Sequence, residues 1–171
     1  EKNKKDWMIG TEHEKFIFSL KNFHSVDYKG ENGIEQLLLI LEKNSGWEGI
    51  YENKNIIGLI ADNKSSISLE PGGQLELSGA PLKNLHMTCD ETGTHLKELR
   101  KALQDLDLGM AGFGFHPISS RENSNFMPKG RYEIMKKWMP KVGSMGLDMM
   151  LRTCTIQVNL DYSNENDMAK K

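Results

Sequence analysis

The sequence predicts an α+β protein, a mainly antiparallel sheet with flanking helices, and three observations carry that expectation. From Trp47 to Leu77, the β-prone runs GIY, IIGLI, SISLE and QLEL are separated by ENKN, ADNKS and PGG. These spacers are turn formers too short for a helical crossover, so the runs form an antiparallel meander. Elsewhere, Ile34, Leu37, Leu38 and Leu41, and then Leu96, Leu99, Leu103 and Leu106, recur at helical spacing. Finally, TCTIQVNL alternates Thr153, Thr155, Gln157 and Asn159 with Cys154, Ile156, Val158 and Leu160. Such alternation predicts a strand with one buried apolar face and one polar face.

In chain order, GTEHEKF opens as a strand whose period of two puts Glu12 and Glu14 on one face and His13 on the other. The first helix starts at Ile34 and stops at Asn44-Ser45-Gly46. After the meander, the leucine face from Leu96 to Leu106 gives a second helix that ends before Gly109. GMAGFGFHP reads as a further strand, and Tyr132, Met135 and Met139 mark a third helix that Pro140 should end or kink. The TCTIQVNL strand follows. NENDMAKK then reads as a short helix capped by Ser163 or Asn164.

With 171 residues, 37% of them hydrophobic and 27% charged, the chain can bury one sizeable core. A net charge of -2 gives no electrostatic case for general nucleic-acid or membrane-surface binding. No apolar run approaches the roughly 20 residues that span a bilayer, and no signal peptide opens the sequence. A soluble cytoplasmic protein is the expectation, or a plastid one if the source is a plant; nothing in the sequence sets an oligomeric state. The charged EKNKKD start and the final NENDMAKK suggest a piece of a larger protein. Cys89 and Cys154 lie far apart without a CxxC or a histidine at ligand spacing. Both read as ordinary thiols, Cys89 as a buried one, rather than as a disulfide or a zinc site.

The chemistry concentrates in four carboxylates. Glu12 and Glu14 share a strand face, Glu70 precedes a Pro-Gly-Gly turn, and Glu76 lies two residues after Gln74. The turn would bring Glu70 and Glu76 to one rim. Like charges held that close call for a cation, and carboxylate oxygens suit Mg²⁺ better than zinc or iron. The polar set Thr153, Thr155, Gln157 and Asn159 either meets water or lines a polar cavity. Lys129 and Arg131 follow a proline in a loop leading into a helix, as solvated charges or as a grip on a carboxylate or phosphate. His116 reads as a structural strand-end residue, His13 and His24 as background, Arg152 as opposite the polar face, and GSMGLDMM as core packing.

GTEHEKF, SLEPGGQLELSGAP, MPKGRYEIM and KVGSMGLDMMLRTCTIQVNLDYS, in that order, resemble the plant and proteobacterial type of glutamate–cysteine ligase over nearly the whole chain. The resemblance implies a glutamine-synthetase-like fold, a curved sheet whose concave face holds metal, nucleotide and amino acid. Residues 1–171 would be the N-terminal portion of a single catalytic domain, inactive without its C-terminal half. The implied substrates are L-glutamate, L-cysteine and ATP, with Mg²⁺. ATP would phosphorylate the glutamate γ-carboxylate, and the cysteine amine would attack the acyl phosphate, the first step of glutathione biosynthesis. By motif, Glu12, Glu14 and Glu76 match metal-ligand positions and Glu70 is a fourth. Gln157 falls where more distant ligases place a metal-binding histidine. Lys129, Arg131, Thr153, Thr155 and Asn159 take the substrate or phosphate. No residue is singled out as a catalytic acid or base. Two alternatives stand beside this reading: a related ligase with another amine acceptor, and a non-catalytic ligand-binding domain of the same fold.

Overall fold

A computed structural model describes all residues from Glu1 to Lys171. After a single 3-10 turn at Lys4–Asp6, the chain forms strand β1 (Ile9–Ser19), helix α1 (Ile34–Ser45), β2 (Glu48–Glu52), β3 (Asn55–Ile60), β4 (Ser66–Leu69) and β5 (Leu75–Ser78). There follow α2 (Leu85–Gln104), β6 (Leu108–Ala111), α3 (Gly130–Val142), α4 (Gly146–Arg152), β7 (Ile156–Leu160) and α5 (Glu165–Met168). The strands make one open sheet in the order β2-β3-β4-β5-β1-β6, with β7 also on β1, and every pairing is antiparallel. The protein is therefore α+β, with the expected meander of sequential neighbours from β2 to β5.

Period two decides what each face of this sheet does. Ile67, Leu69, Leu75 and Leu77 are buried, and they pack with Ile34, Leu37, Leu38 and Leu41 of α1 and Leu99 and Leu103 of α2 in one core. The alternate positions Ser66, Ser68, Glu76 and Ser78 turn to the other side. At the end of α1, Gly46 takes a left-handed conformation (φ 70°), the stop the sequence announced.

The Pro-Gly-Gly turn is built as its residues dictate. Gly73 N–H donates to the Glu70 carbonyl at 2.9 Å and Glu70 N–H to the Gln74 carbonyl at 2.8 Å, while Gly73 sits at φ +85°. Pro71 presets the first corner and Gly73 supplies the left-handed residue of a three-residue hairpin loop. Gly72 answers a different demand: a Cβ there would lie 2.4 Å from the Leu151 carbonyl oxygen.

Several expectations are corrected. Helix α2 begins at Leu85, well before the leucine face, where the Asn84 side chain accepts from Met87 N–H at 3.1 Å. Its first half buries only Thr88, so the apolar period does not reveal it. Of GMAGFGFHP only the start is strand; His116 lies in the loop beyond it, buried, its Nδ1 accepting the N–H groups of Ile118 (3.3 Å) and Ser119 (3.0 Å). Helix α3 runs through Pro140 but ends two residues later at Val142, as expected of a proline that removes the N–H the Lys136 carbonyl would accept. The GSMGLDMM segment is partly helix α4, which buries Met150 and Leu151 but leaves Met145 and Met149 exposed. Cys89 is exposed, not buried, and Cys154 is the buried thiol.

The largest correction concerns β7. The strand starts at Ile156, and its apolar side is open: Ile156 is 69%, Val158 54% and Leu160 61% exposed. β7 pairs along one edge only, with β1. Alternation identifies residues that share a face; it does not supply the layer that covers it. Helix α5 has its predicted cap, the Asn164 side chain accepting from Asp167 N–H at 3.1 Å. No helix is long and apolar enough to cross a membrane.

Candidate metal and phosphate site

The site is built on β1, which β5 and β7 flank. Glu14 stands directly opposite Glu76 of β5, and Glu12 opposite Ser78 of β5 and Gln157 of β7. Directly paired antiparallel residues hold their Cβ atoms about 5 Å apart, so Glu14 and Glu76 are forced neighbours on the face away from α1 and α2. Glu70, where β4 runs into the turn, joins them. Its carboxyl is pushed above the usual range by burial and then by the charges of Glu76 and Glu14, with Lys129 and Arg131 opposing. The Glu14 carboxyl is raised by burial as well, against two hydrogen bonds from Thr155, with Glu76 and Glu12 adding repulsion. Each of the four carboxylates thus lies in the field of at least one other.

Uncharged donors hold these groups. Gln157 Nε2 and Asn159 Nδ2 both donate to Glu12 Oε1 at 3.0 Å. The Thr155 N–H donates to Glu14 Oε2 and its hydroxyl to Oε1, each at 3.0 Å, and the Ser78 hydroxyl donates to Glu76. Thr155, Gln157 and Asn159 therefore face the carboxylates while remaining exposed to solvent. Thr153 lies at the end of α4, its hydroxyl donating to the Met149 carbonyl at 2.6 Å, so it is not brought to the acidic face. No group of three or more acidic, imidazole or thiol side chains is gathered tightly enough to hold a metal ion. The donor set is right for a hard cation, and side-chain rotations would have to close it around one.

The basic rim comes from the loop into α3. Lys129 is 9% exposed and its ammonium donates to the Leu69 carbonyl at 2.8 Å. Burial and then Arg131 lower its pKa to about 8, against Glu70, Glu76 and Glu52, so most of it stays charged at neutral pH. Arg131 stacks over the Tyr132 ring, 4.9 Å from its centroid, donates to the Tyr132 hydroxyl at 3.0 Å and comes within 3.8 Å of Glu70. Its side chain remains largely exposed and can take an oxyanion. Arg152 stands apart: it pairs with Asp148 at 3.0 Å and stacks on Phe115. His13 points to the opposite face, where Thr92 meets its Nε2 at 3.3 Å.

Sequence reasoning missed the residues that tie the parts together. Gln74, buried in the turn, accepts from Gly72 N–H at 2.9 Å and donates to the carbonyls of Met150 (3.2 Å) and Thr153 (2.8 Å). It clamps the Glu70–Glu76 hairpin to the approach of β7. The Tyr132 hydroxyl donates to the Leu69 carbonyl, and Glu52 accepts from Gly130 N–H at 2.7 Å, which sets the loop that carries Lys129 and Arg131. A glutamine beside a Pro-Gly-Gly turn was the one available signal.

An α+β protein whose open sheet carries an oxygen-rich acidic face with a basic rim is the class that fold and site define. The family model for glutamate–cysteine ligase family 2 (GCS2) matches residues 8–171. The chain is 53% identical to the chloroplastic glutamate–cysteine ligase of Medicago truncatula over 170 residues, which are 99% of this chain and 33% of the relative. It is 52% identical to the enzyme of that name from Brassica juncea and 51% to that from Arabidopsis thaliana, each over 99% of this chain and 32% of the relative. The chain belongs to glutamate–cysteine ligase family 2, and it spans about a third of the length of these relatives.

Proposed function

We propose that the protein of which this chain forms part joins the γ-carboxylate of L-glutamate to the amine of L-cysteine at the expense of ATP, the first step of glutathione biosynthesis. The observation that carries the reading is the Glu14–Glu76 pair, opposed across two strands and flanked by Glu12 and Glu70. Such repulsion destabilises the protein unless a cation occupies the face. A carboxylate is a poor electrophile at neutral pH. In the reaction its oxygen attacks the γ-phosphorus of ATP and ADP leaves; the cysteine amine then attacks the acyl carbon and inorganic phosphate leaves. Mg²⁺ bound at Glu12, Glu14, Glu70 and Glu76, with Gln157 as a neutral oxygen donor, would neutralise the phosphate oxygens that otherwise repel the incoming nucleophile.

The remaining groups divide the binding work. Arg131 exchanges Glu70 for a phosphate or substrate carboxylate, and Lys129 adds a short-range positive charge from a buried position. Thr155 and Asn159 hold Glu14 and Glu12 in place and orient substrate oxygens on the same face. We assign the sheet to a glutamine-synthetase-like architecture, with residues 1–171 as the N-terminal portion of one catalytic domain. The chloroplastic names of the relatives favour the plastid over the cytoplasm.

ADP release by the intact polypeptide, with each component omitted in turn, tests the reading. Turnover should require glutamate, cysteine, ATP and Mg²⁺ together and should fall at least ~100-fold in Glu12→Gln, the scale of losing a preorganised electrostatic group. Turnover with another amine but not cysteine would move the assignment to a related ligase, and no ATP-dependent turnover would leave a binding domain.

A further inference from the structure

On the sheet face opposite the carboxylates, a cleft of about 450 Å³ opens between α2, the end of α1 and the β3–β4 turn. Trp47 and Leu77 give it apolar walls, and Asp90, Glu91, His95 and Glu98 line it along α2. No lysine or arginine lines it, so its charge is wholly negative.

Its polar groups are incompletely matched. Glu98 accepts from the Trp47 indole N–H at 3.3 Å, and Glu91 Oε1 accepts from Ala80 N–H at 2.9 Å. The second Glu91 oxygen is buried with no partner. His95 is only 3% exposed, and neither of its ring nitrogens has a hydrogen-bonding partner. Burial, reinforced by Lys15 and His13 facing it from β1, lowers its pKa to about 4. The ring is therefore neutral and offers one donor and one acceptor. An orphaned neutral imidazole in an acidic cleft is an unusual thing for a core to retain, because buried polar groups are ordinarily paired.

We propose that this cleft is a second ligand site, separate from the acidic sheet face, and that it takes a small aliphatic diamine. Charge complementarity excludes anions. A metal ion alone would leave the apolar walls of Trp47 and Leu77 without contact. One ammonium takes the inner end beside Glu91 and His95, where it must part the side chains that now shield the free Glu91 oxygen and both imidazole nitrogens from solvent. The alkyl chain lies along Leu77 and the Trp47 face, where a cation gains from the indole ring. The exposed Asp90 and the half-buried Glu98 receive the second ammonium at the mouth. The volume falls within the ordinary range for small-molecule sites.

The test is calorimetric titration of the intact polypeptide with 1,4-diaminobutane at constant ionic strength, with tryptophan fluorescence read in parallel. The site predicts saturable one-to-one binding with Kd below ~1 mM. Glu91→Gln and Glu98→Gln should each weaken it at least ~10-fold, the cost of one charge-assisted hydrogen bond. Trp47→Phe should abolish the fluorescence change while heat of binding remains. Glu12→Gln should leave diamine binding unaltered even where it abolishes ligase turnover, so this proposal and the proposed function fail separately. Absence of saturation, equal affinity in both carboxamide variants, or the same response to MgCl₂ alone would overturn it.

Discussion

Replacing Gln74 by methionine isolates the clamp between the acidic hairpin and the approach to β7. The side chain is 2% exposed and makes three hydrogen bonds to backbone groups of Gly72, Met150 and Thr153. Methionine nearly conserves its volume and flexibility, so the cavity contribution is small. At about 1 kcal/mol net per lost bond, the three together predict destabilisation of about 3 kcal/mol. Gln74→Glu sharpens the argument, because its carboxylate would face two carbonyl oxygens. The folded state then favours the protonated acid, and the folded pKa rises above the unfolded one. That variant is most stable at pH values below the unfolded glutamate pKa, about 4.3, and loses stability as pH rises through the folded value. Urea denaturation of the intact polypeptide across that pH range, with Mg²⁺–ATP affinity measured alongside, provides the assay. A cost below about 1 kcal/mol for Gln74→Met, or a Gln74→Glu deficit that does not vary with pH, would refute the clamp.

Other outcomes follow from the same geometry. Burial and neighbouring carboxylates raise the carboxyls of Glu70 and Glu14 in the folded state, so without divalent cation their contribution to stability is fullest below the unfolded carboxylate range and is lost as pH rises through the raised values. Denaturation midpoints followed from about pH 4 to about pH 7 should fall, and either added Mg²⁺ or Glu14→Gln should flatten the decline. Gly72→Ala places a Cβ against the Leu151 carbonyl and should cost about 2 kcal/mol, read as a lower thermal midpoint; an unchanged midpoint would show that α4 moves freely. Arg131→Lys keeps the charge but loses the planar fork and its stacking on Tyr132, so KM for the anionic substrate should rise roughly 10-fold with kcat less affected.

What could be read in the sequence was what is local. The β2–β5 meander follows from turn formers between β-prone runs, and the shared face of Glu12 and Glu14 follows from period two alone. The first half of α2 was hidden because the one position it buries is Thr88 rather than a leucine; the Asn84 cap was the overlooked signal. Thr153 belongs to the C-terminal end of α4, and strand alternation carries no mark of where a strand begins. The open apolar side of β7 was invisible for a related reason, since covering it depends on elements far away in the chain. Gln74 is the clearest case: two of its three partners lie beyond α3, and only the folded chain brings them to it.

The most direct measurement is calorimetric binding of ATP to the intact polypeptide with and without Mg²⁺, in wild type and in Glu14→Gln. If the opposed Glu14–Glu76 pair belongs to the cation site, Mg²⁺ should strengthen ATP binding strongly in the wild type and by at least ~10-fold less in the variant. An equal Mg²⁺ enhancement in both proteins would contradict the account, since the paired carboxylates would then have no part in holding the cation.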